Sequence, residues 1–407
     1  MMLRRIIYWT VAIGVGTLPV GMVGLLRAQD QPAAKQAPAK KGIQPDLEHP
    51  ILTIGSPAPD FSLPGVDGKV HKLAEYASAK VLAIVFECNH CPTSQLYEGR
   101  LEKLYAEYKP KGLTMVVINP NNPKSVTYDE LGYTDMNDSL EEMKVRAKFR
   151  NHPYPYVYDG ETQGVSTRFG VVATPHIYLF DKDRKLQYQG RIDDNQREDL
   201  VKSQDAKAAL EAMFGGKPVP VQNTGAFGCT TKWLSKASGA ERVEARNAAL
   251  PVTIQPITAD ELKKLRANGT GKPVLFYFWS PSNTTSTTQF KPFIETYWMY
   301  HRERGFEMVT IATGDQAAAL DFLKQQYASN QNKFFAGDRA ALQAAWGASW
   351  PAGSAFTAVI GTDGKVLYQK AGLVNIVEPR RAILVSLPDT AGYIGQQAYW
   401  TAVTGKK

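Results

Sequence analysis

Cysteine is scarce in this chain, with three among 407 residues. That number is far too small for a fold held together by disulfides, so apolar cores must stabilise the chain. Dense runs of lysine and arginine with interleaved aromatic residues are also missing. The net charge of +8 therefore gives no reason to expect a nucleic-acid partner.

Acidic residues are absent from the first 28 positions, which contain three arginines and an apolar run over residues 6–26. This pattern predicts a signal peptide or a membrane anchor over residues 1–28. Residues 29–50 are rich in proline, alanine and lysine and predict a flexible linker. We therefore expect an exported protein, periplasmic or otherwise extracytoplasmic, whose N-terminus is either cleaved or kept as a membrane tether.

The remaining chain has the composition of a globular protein, and its length suggests two domains. Strands, helices and a closing hairpin follow one another in the same order in both halves. This repetition predicts two tandem α/β domains with central mixed sheets, at residues 51–235 and 251–395. A low-complexity stretch at 236–250 predicts the linker between them, and residues 396–407 a C-terminal tail.

Continuous apolar runs give the strand predictions. VLAIVFE (81–87) predicts a buried strand in the first half, and KPVLFYFWS (272–280) predicts its counterpart in the second. Each strand precedes a predicted helix, one beginning at Pro92 and the other spanning 285–304.

Two of the three cysteines lie in Cys88-Asn89-His90-Cys91, between the first predicted strand and its helix. Unpaired amides and the helix dipole at such a junction stabilise a thiolate, which we predict at Cys88. A thiolate is the nucleophile of disulfide exchange, and the two-residue spacing lets Cys91 close a disulfide ring. His90 would stabilise the thiolate further. The motif thus predicts a thiol–disulfide oxidoreductase in which Cys88 attacks and Cys91 resolves.

Two other interpretations of the cysteine pair stay open. Cys88, Cys91 and His90 are soft or imidazole ligands, and Cys229 or His176 are distant candidates for completing a copper site. A second C-x-x-C is absent from the sequence, so a structural zinc site is not expected. Free cysteines also occur simply as small buried residues. The redox interpretation requires no metal and no organic cofactor.

The chain resembles the thioredoxin-like redoxin proteins, in a peroxiredoxin-like branch of the AhpC/TSA type. The resemblance covers about residues 55–235 and rests on the ordered motifs FECNHCP, VINPN, YPYVYD, FGVVATPHIYLFD, YQGRIDD and FGCTTKW. It implies a thioredoxin fold in which Pro175 forms a cis peptide bond after Thr174 beside the cysteines. Thr174 and His176 would then lie near the substrate, although His176 is equally interpreted as the start of a strand.

Thiol peroxidase is the alternative activity that this resemblance implies. Peroxiredoxins carry the spacing P-x-x-x-T-x-x-C ahead of the reactive cysteine. Counted back from Cys88, the position of the threonine is occupied by Val85. Counted back from Cys91, the position of the threonine is occupied by Cys88 and that of the proline by Ile84. Dithiol–disulfide exchange is therefore favoured, with protein thiols or disulfides, small thiols and a redox partner protein as its partners.

The third cysteine, Cys229 in FGCTTKW, has two interpretations. It is a candidate auxiliary or resolving thiol for the pair. The interpretation favoured by the sequence is that it packs beneath Trp233.

The second domain is predicted to lack thiol chemistry. Aligning FYFWSPSN with IVFECNHC puts Ser280 in place of Cys88 and Asn283 in place of Cys91. Aligning the hairpins puts Ala355 in place of Pro175. We therefore expect a degenerate thioredoxin-like domain that binds a substrate or a partner.

Overall fold

A computed structural model of the protein describes residues 48–132 and 136–387. The predicted signal peptide or anchor (1–28), nearly all of the linker at 29–50, and the tail at 396–407 lie outside these residues. Within the described ranges, no helix combines the length and apolar character needed to span a bilayer.

Over the described part of the first domain there are nine short strands and five helices. Its strands are β1 Ser62–Pro64, β2 Val70–Lys72, β3 Val81–Phe86, β4 Leu113–Asn119, β5 Tyr156–Tyr158, β6 Ala173–Thr174, β7 His176–Phe180, β8 Leu186–Gly190 and β9 Cys229–Thr230. Its helices are α1 Pro92–Tyr108, α2 Tyr128–Leu131, α3 Leu140–Arg150, α4 Gly164–Phe169 and α5 Asp205–Phe214. The central sheet has the order β5-β4-β3-β7-β8, in which β3 is parallel to β4 and antiparallel to β7.

Strand β3 is buried at every residue because helices cover both faces of the sheet. Ala83 and Val85 pack into the core beneath α1, whereas Ile84 and Phe86 pack into the opposite core with Phe169 of α4. A strand buried on both faces needs a continuous apolar run, and this is the pattern that predicted it.

The second domain repeats this arrangement. Its strands are β10 Gln255–Pro256, β11 Val274–Trp279, β12 Glu307–Ala312, β13 Gln331–Phe334, β14 Phe356–Ile360 and β15 Val366–Ala371. Helix α6 Ala237–Ala248 precedes it, followed by α7 Ala259–Ala267, α8 Thr284–Thr288, α9 Phe290–Arg304, α10 Gln316–Gln325, α11 Arg339–Trp346 and α12 Val377–Leu384. The sheet order is β10-β13-β12-β11-β14-β15. The prediction of central mixed sheets flanked by helices in both halves is confirmed.

Two local predictions differ from the structure. The stretch at 236–250, predicted as a linker, forms helix α6 over most of its length. The single helix predicted over 285–304 is divided at Gln289 into α8 and α9. Pro292 explains this division, because proline lacks the amide proton for the i−4 bond and its ring clashes with the carbonyl of Thr288.

The structure supports the alignment of the two domains. Asn283 caps α8 as Cys91 caps α1, each accepting a hydrogen bond from the backbone amide three residues further on. The hairpin registers place Ala355 at the position of Pro175. The second domain therefore keeps the strand-to-helix junction but has neither sulfur.

Helix α2 of the first domain packs against α9 of the second. Val126 and Leu131 belong to a buried apolar cluster that is otherwise formed by the second domain. A Cβ atom on Gly132 would lie 2.2 Å from the carbonyl oxygen of Met299, so the close approach of the two backbones requires glycine. Arg304 donates a hydrogen bond from Nη1 to the carbonyl of Gly132 at 2.7 Å. The two domains thus share part of one core.

Candidate functional site

The cysteine pair lies where β3 ends and α1 begins. Both residues are reduced thiols, and 2% of Cys88 and none of Cys91 is exposed. Cys91 is the N-cap of α1, and its Sγ accepts a hydrogen bond from the amide of Ser94 at 3.4 Å. Pro92 occupies the first helical position, where its missing amide proton costs little.

The thiolate is favoured at Cys91. Burial raises the pKa of Cys91, but hydrogen bonds from the thiols of Cys229 and Cys88, the charge of His90 and the Ser94 amide outweigh it, holding the pKa well below its ordinary value. Burial, the hydrogen bond to Cys91 and the charge of Asp138 raise the pKa of Cys88 well above its ordinary value.

The two shifts favour negative charge at Cys91, whereas the sequence predicted the thiolate at Cys88, and that assignment stays a prediction. Cys91 is itself the helix N-cap, and Cys88 lies three residues before it. The amides and dipole of a helix terminus act over the first turn only.

His90 forms a buried ion pair with Asp138. The Nδ1 of His90 lies 2.5 Å from Oδ2 of Asp138, and 3.6 Å from the sulfur of Cys88. Burial lowers the pKa of His90, but the charge and hydrogen bond of Asp138 outweigh it and raise the pKa. Burial raises the pKa of Asp138, but His90 outweighs it and lowers the pKa. Each partner thus favours the charged form of the other, and the imidazole lies beside the sulfur of Cys88.

Sequence reasoning missed Asp138. Its Oδ1 accepts from the backbone amides of Asn89 at 2.7 Å and His90 at 3.2 Å, and its Oδ2 accepts from the Asn121 side chain at 2.9 Å. The asparagines of the VINPNNP segment and the position of Asp138 just before Ser139, the N-cap of α3, are the only local signals. Neither signal indicates that Asp138 contacts the cysteine motif, in which His90 lies 48 positions earlier in the chain.

Thr174 and Pro175 lie against both sulfurs. The Thr174–Pro175 peptide bond is cis, which confirms what the resemblance implied. The hydroxyl oxygen of Thr174 is 3.1 Å from Sγ of Cys88, and its carbonyl oxygen is 3.4 Å from Sγ of Cys91. Thr174 therefore contacts each member of the pair through a different group.

His176 belongs to the sheet rather than to the site. Its Nε2 is 2.8 Å from Oε1 of Gln189, and its Nδ1 is 3.2 Å from the hydroxyl of Tyr178. Burial lowers the pKa of His176 to about 4, so the ring is neutral. With both nitrogens engaged and no exposed surface, His176 is not placed to bind a substrate, and of its two interpretations the strand position fits.

Cys229 lies at the site. Strand β9 pairs antiparallel with β6 and places Cys229 opposite Thr174, whose carbonyl oxygen is 3.4 Å from Sγ of Cys91. Trp233 stacks on His49, with ring centroids 3.8 Å apart, and the packing of Cys229 beneath Trp233 stays a prediction. The pairing of two two-residue strands left no pattern in the sequence from which it could be predicted.

The site also contains the atoms of a metal-binding set. Ligand-type atoms of Cys88, His90 and Asp138 all lie within 4.8 Å of one another. Cys229 is close to this group through Cys91, whereas the nitrogens of His176 are occupied elsewhere. Copper binding stays a prediction.

Glu87 is a buried carboxyl group immediately before Cys88. Its Oε1 has no hydrogen-bond partner among the described residues. Burial, followed by the negative charge of Glu98, raises the pKa of Glu87 well above its ordinary value. Burial therefore favours the protonated form of this side chain in the folded protein.

The free energy of unfolding should decrease less steeply with rising pH when Glu87 is replaced by glutamine. Glutamate in the unfolded chain ionises near pH 4.3, so above that pH the folded state binds more protons and its stability falls. Glu87→Gln removes this contribution, which is at most about 1.4 kcal/mol per pH unit. Urea denaturation at pH 5 and pH 8 measures the difference. Glu198→Gln, on an exposed side chain, is the control; equal pH slopes in wild type and Glu87→Gln would contradict a protonated Glu87.

Comparisons with known proteins show the family of the chain. The model of the Redoxin family matches residues 53–210 and 245–380, which together include the central strands of both sheets. The thiol-disulfide oxidoreductase ResA of Geobacillus thermodenitrificans is 27% identical over 142 residues, which are 34% of this chain and 70% of that protein.

Two solved structures are similar to part of the chain. An uncharacterized conserved protein from Geobacillus kaustophilus is 36% identical, with 46% of this chain and 95% of that chain covered and a TM-score of 0.41. A hypothetical protein from Sinorhizobium meliloti 1021 is 30% identical, with 46% of this chain and 98% of that chain covered and a TM-score of 0.40. Because the family model matches well over half of the residues, in two regions, the chain belongs to the Redoxin family.

Proposed function

We propose that the protein is an exported thiol–disulfide oxidoreductase whose redox pair is Cys88 and Cys91. The observation that carries this proposal is the placement of both cysteines where β3 meets α1, with Sγ of Cys91 accepting from the Ser94 amide and Thr174 contacting both sulfurs. A thiolate in contact with a second thiol is the arrangement that disulfide exchange requires. The activity named for the similar ResA protein supports the same reaction class.

In the proposed reaction the Cys91 thiolate attacks a sulfur of the disulfide presented to it. The attacked S–S bond breaks, a mixed disulfide with Cys91 forms, and one thiolate leaves. Cys88 then loses its proton and attacks Sγ of Cys91, which forms the Cys88–Cys91 disulfide and releases the second thiolate. Two electrons pass from the pair to the substrate, and the reverse sequence oxidises a dithiol.

In the proposed reaction, His90 and Thr174 orient the two cysteines and stabilise negative charge on their sulfurs. The imidazolium, held by Asp138, favours negative charge at Cys91. The Thr174 hydroxyl lies beside Cys88, where it can donate a hydrogen bond as that sulfur ionises. Pro175 fixes the backbone that carries Thr174 against both sulfurs.

We propose that the second domain binds a substrate or a partner protein. At the position equivalent to the cysteine pair it has a cleft of about 630 Å³. Trp279, Trp350, Ser280 and Arg339 are among the residues that line this cleft. Aromatic and arginine side chains are enriched at binding surfaces, which supports a binding role without thiol chemistry. Export remains the expectation drawn from residues 1–28.

The test of the redox function is the reduction potential of the Cys88–Cys91 couple. Residues 29–407 would be equilibrated in glutathione buffers, alkylated and measured by mass. We expect a reversible two-thiol transition. A midpoint near about −120 to −180 mV would indicate an oxidant or isomerase and one near about −270 mV a reductant. Absence of a Cys88–Cys91 disulfide at every potential would overturn the proposal.

Peroxide reduction is the second candidate, and one observation favours it. The Thr174 hydroxyl, 3.1 Å from the sulfur of Cys88, supplies the neighbouring hydroxyl group that the sequence ahead of Cys88 lacks. If this candidate is correct, hydrogen peroxide is consumed in the presence of a thiol reductant, and Cys88→Ser abolishes that consumption. Unchanged consumption in Cys88→Ser excludes Cys88 as the peroxide-reactive thiol.

A further inference from the structure

The three cysteines differ in their access to solvent. Cys91 is fully buried and Cys88 is 2% exposed, whereas Cys229 is partly exposed. Disulfide exchange needs an approach along the S–S axis, so accessibility limits which sulfur an outside molecule can reach. While β9 is in place, Cys229 is the cysteine of these three that is partly exposed to solvent.

Strand β9 is fitted closely to the site. Gly228 has φ of +148°, and a Cβ atom there would lie 2.0 Å from the carbonyl oxygen of Thr174 and 3.4 Å from Cδ of Pro175. Only glycine permits this approach. The chain therefore covers the Thr174–Pro175 backbone with its own strand and places Cys229 opposite Thr174, the residue that contacts the sulfurs of Cys88 and Cys91.

We propose that Cys229 is the thiol through which the buried Cys88–Cys91 pair exchanges with outside thiols and disulfides. This inference rests on the proposed function and adds the route that electrons take. Cys91 is the central sulfur, which forms a disulfide with Cys88 on one side and with Cys229 on the other.

The exchange steps balance without any further reactant. Cys229 loses its proton to solvent, attacks an outside disulfide R–S–S–R, and releases the first RS⁻. The Cys91 thiol loses its proton and attacks Sγ of Cys229, forming Cys91–Cys229 and releasing the second RS⁻. Cys88 loses its proton and attacks Sγ of Cys91, forming Cys88–Cys91 and returning Cys229 as a thiolate. Two RS⁻ leave, two electrons have left the Cys88–Cys91 pair, and protons pass through solvent.

The charges around Cys229 fit this role. The hydrogen bond with Cys91, and then burial, raise the pKa of Cys229, while the charge of Lys232 opposes them. Once Cys91 is in a disulfide with Cys88, its thiolate is gone, and the first of these causes disappears. Lys232, which pairs with Glu130, then favours the Cys229 thiolate needed for the reverse reaction.

The first test is disulfide mapping in a Cys88→Ser variant of the full chain. The variant is oxidised with glutathione disulfide, alkylated and digested for mass spectrometry. We expect a Cys91–Cys229 crosslink in place of a stable glutathione adduct. A glutathione adduct on Cys91 with Cys229 alkylated would overturn the proposal. Cys88→Ala provides the same readout if the serine variant does not fold.

The second test is the rate at which dithiothreitol reduces the preformed Cys88–Cys91 disulfide. We expect Cys229→Ser to slow this step by roughly tenfold or more, because access to the buried sulfurs is lost. Thr230→Ser, at the exposed neighbour in β9, is the matched control and should keep the wild-type rate. Equal rates in Cys229→Ser and wild type would refute the route but leave the redox function intact. Failure of the wild type to form Cys88–Cys91 would instead refute the redox function.

Discussion

Replacing Cys91 with serine is expected to reduce thiol–disulfide exchange to the uncatalysed rate, a loss on the order of 10³-fold or more. Cys91 is the sulfur whose pKa is lowered, and the proposed disulfides join it to Cys88 and to Cys229. Its removal therefore eliminates each disulfide that the site can form. Reduction of insulin, with dithiothreitol as the electron donor, measures the effect.

Cys88→Ser is the informative comparison for this prediction. It removes one partner of Cys91 but leaves Cys229, so a Cys91–Cys229 disulfide and partial activity should remain. If Cys88→Ser is inactive and Cys91→Ser is partly active, Cys88 is the nucleophile. That outcome would mean that the helix N-cap does not decide which sulfur ionises.

Asp138→Asn is expected to lower the free energy of unfolding by about 3–5 kcal/mol, the usual cost of removing one partner of a buried ion pair. Asp138 is fully buried and accepts hydrogen bonds from Asn89, His90 and Asn121. An asparagine keeps the shape but replaces one acceptor with a donor and leaves the His90 cation unpaired. Urea denaturation at pH 6 measures the loss.

The pH dependence of this loss follows from the two pKa shifts. The pKa of Asp138 is lowered, so its contribution is present above the ordinary aspartate pKa and disappears as the pH falls through the folded value. The pKa of His90 is raised, so its contribution is complete below about 6.5 and disappears as the pH rises through the folded value. The deficit of Asp138→Asn should therefore be largest between about pH 4 and 6.5.

Asp183→Asn is the control for the aspartate substitution. Asp183 is an exposed residue in the turn between β7 and β8, and its replacement should leave the unfolding free energy unchanged at each pH. A pH-independent deficit in Asp138→Asn would show that Asp138 acts through hydrogen bonds alone and not as a charge paired with His90.

The sequence predicted the parts of the site that lie close together in the chain. The buried run of β3, the cysteine spacing and Pro92 are local patterns, and each lies where it was expected. Asp138 and Cys229 reach the site through long-range packing, so no spacing rule identifies them. The identity of the cysteine that occupies the N-cap also needed the structure, because the helix boundary had to be located to within one residue.

The contact between α2 and α9 has a consequence for how the molecule can be divided. Helix α2 lies in the connection between β4 and α3, and the same connection supplies Asp138 to the cysteine pair. A fragment truncated after residue 235 would expose Val126 and Leu131 to water and remove the support beneath this connection. The second domain thus packs against the connection that carries Asp138, and its lack of cysteines does not make it dispensable.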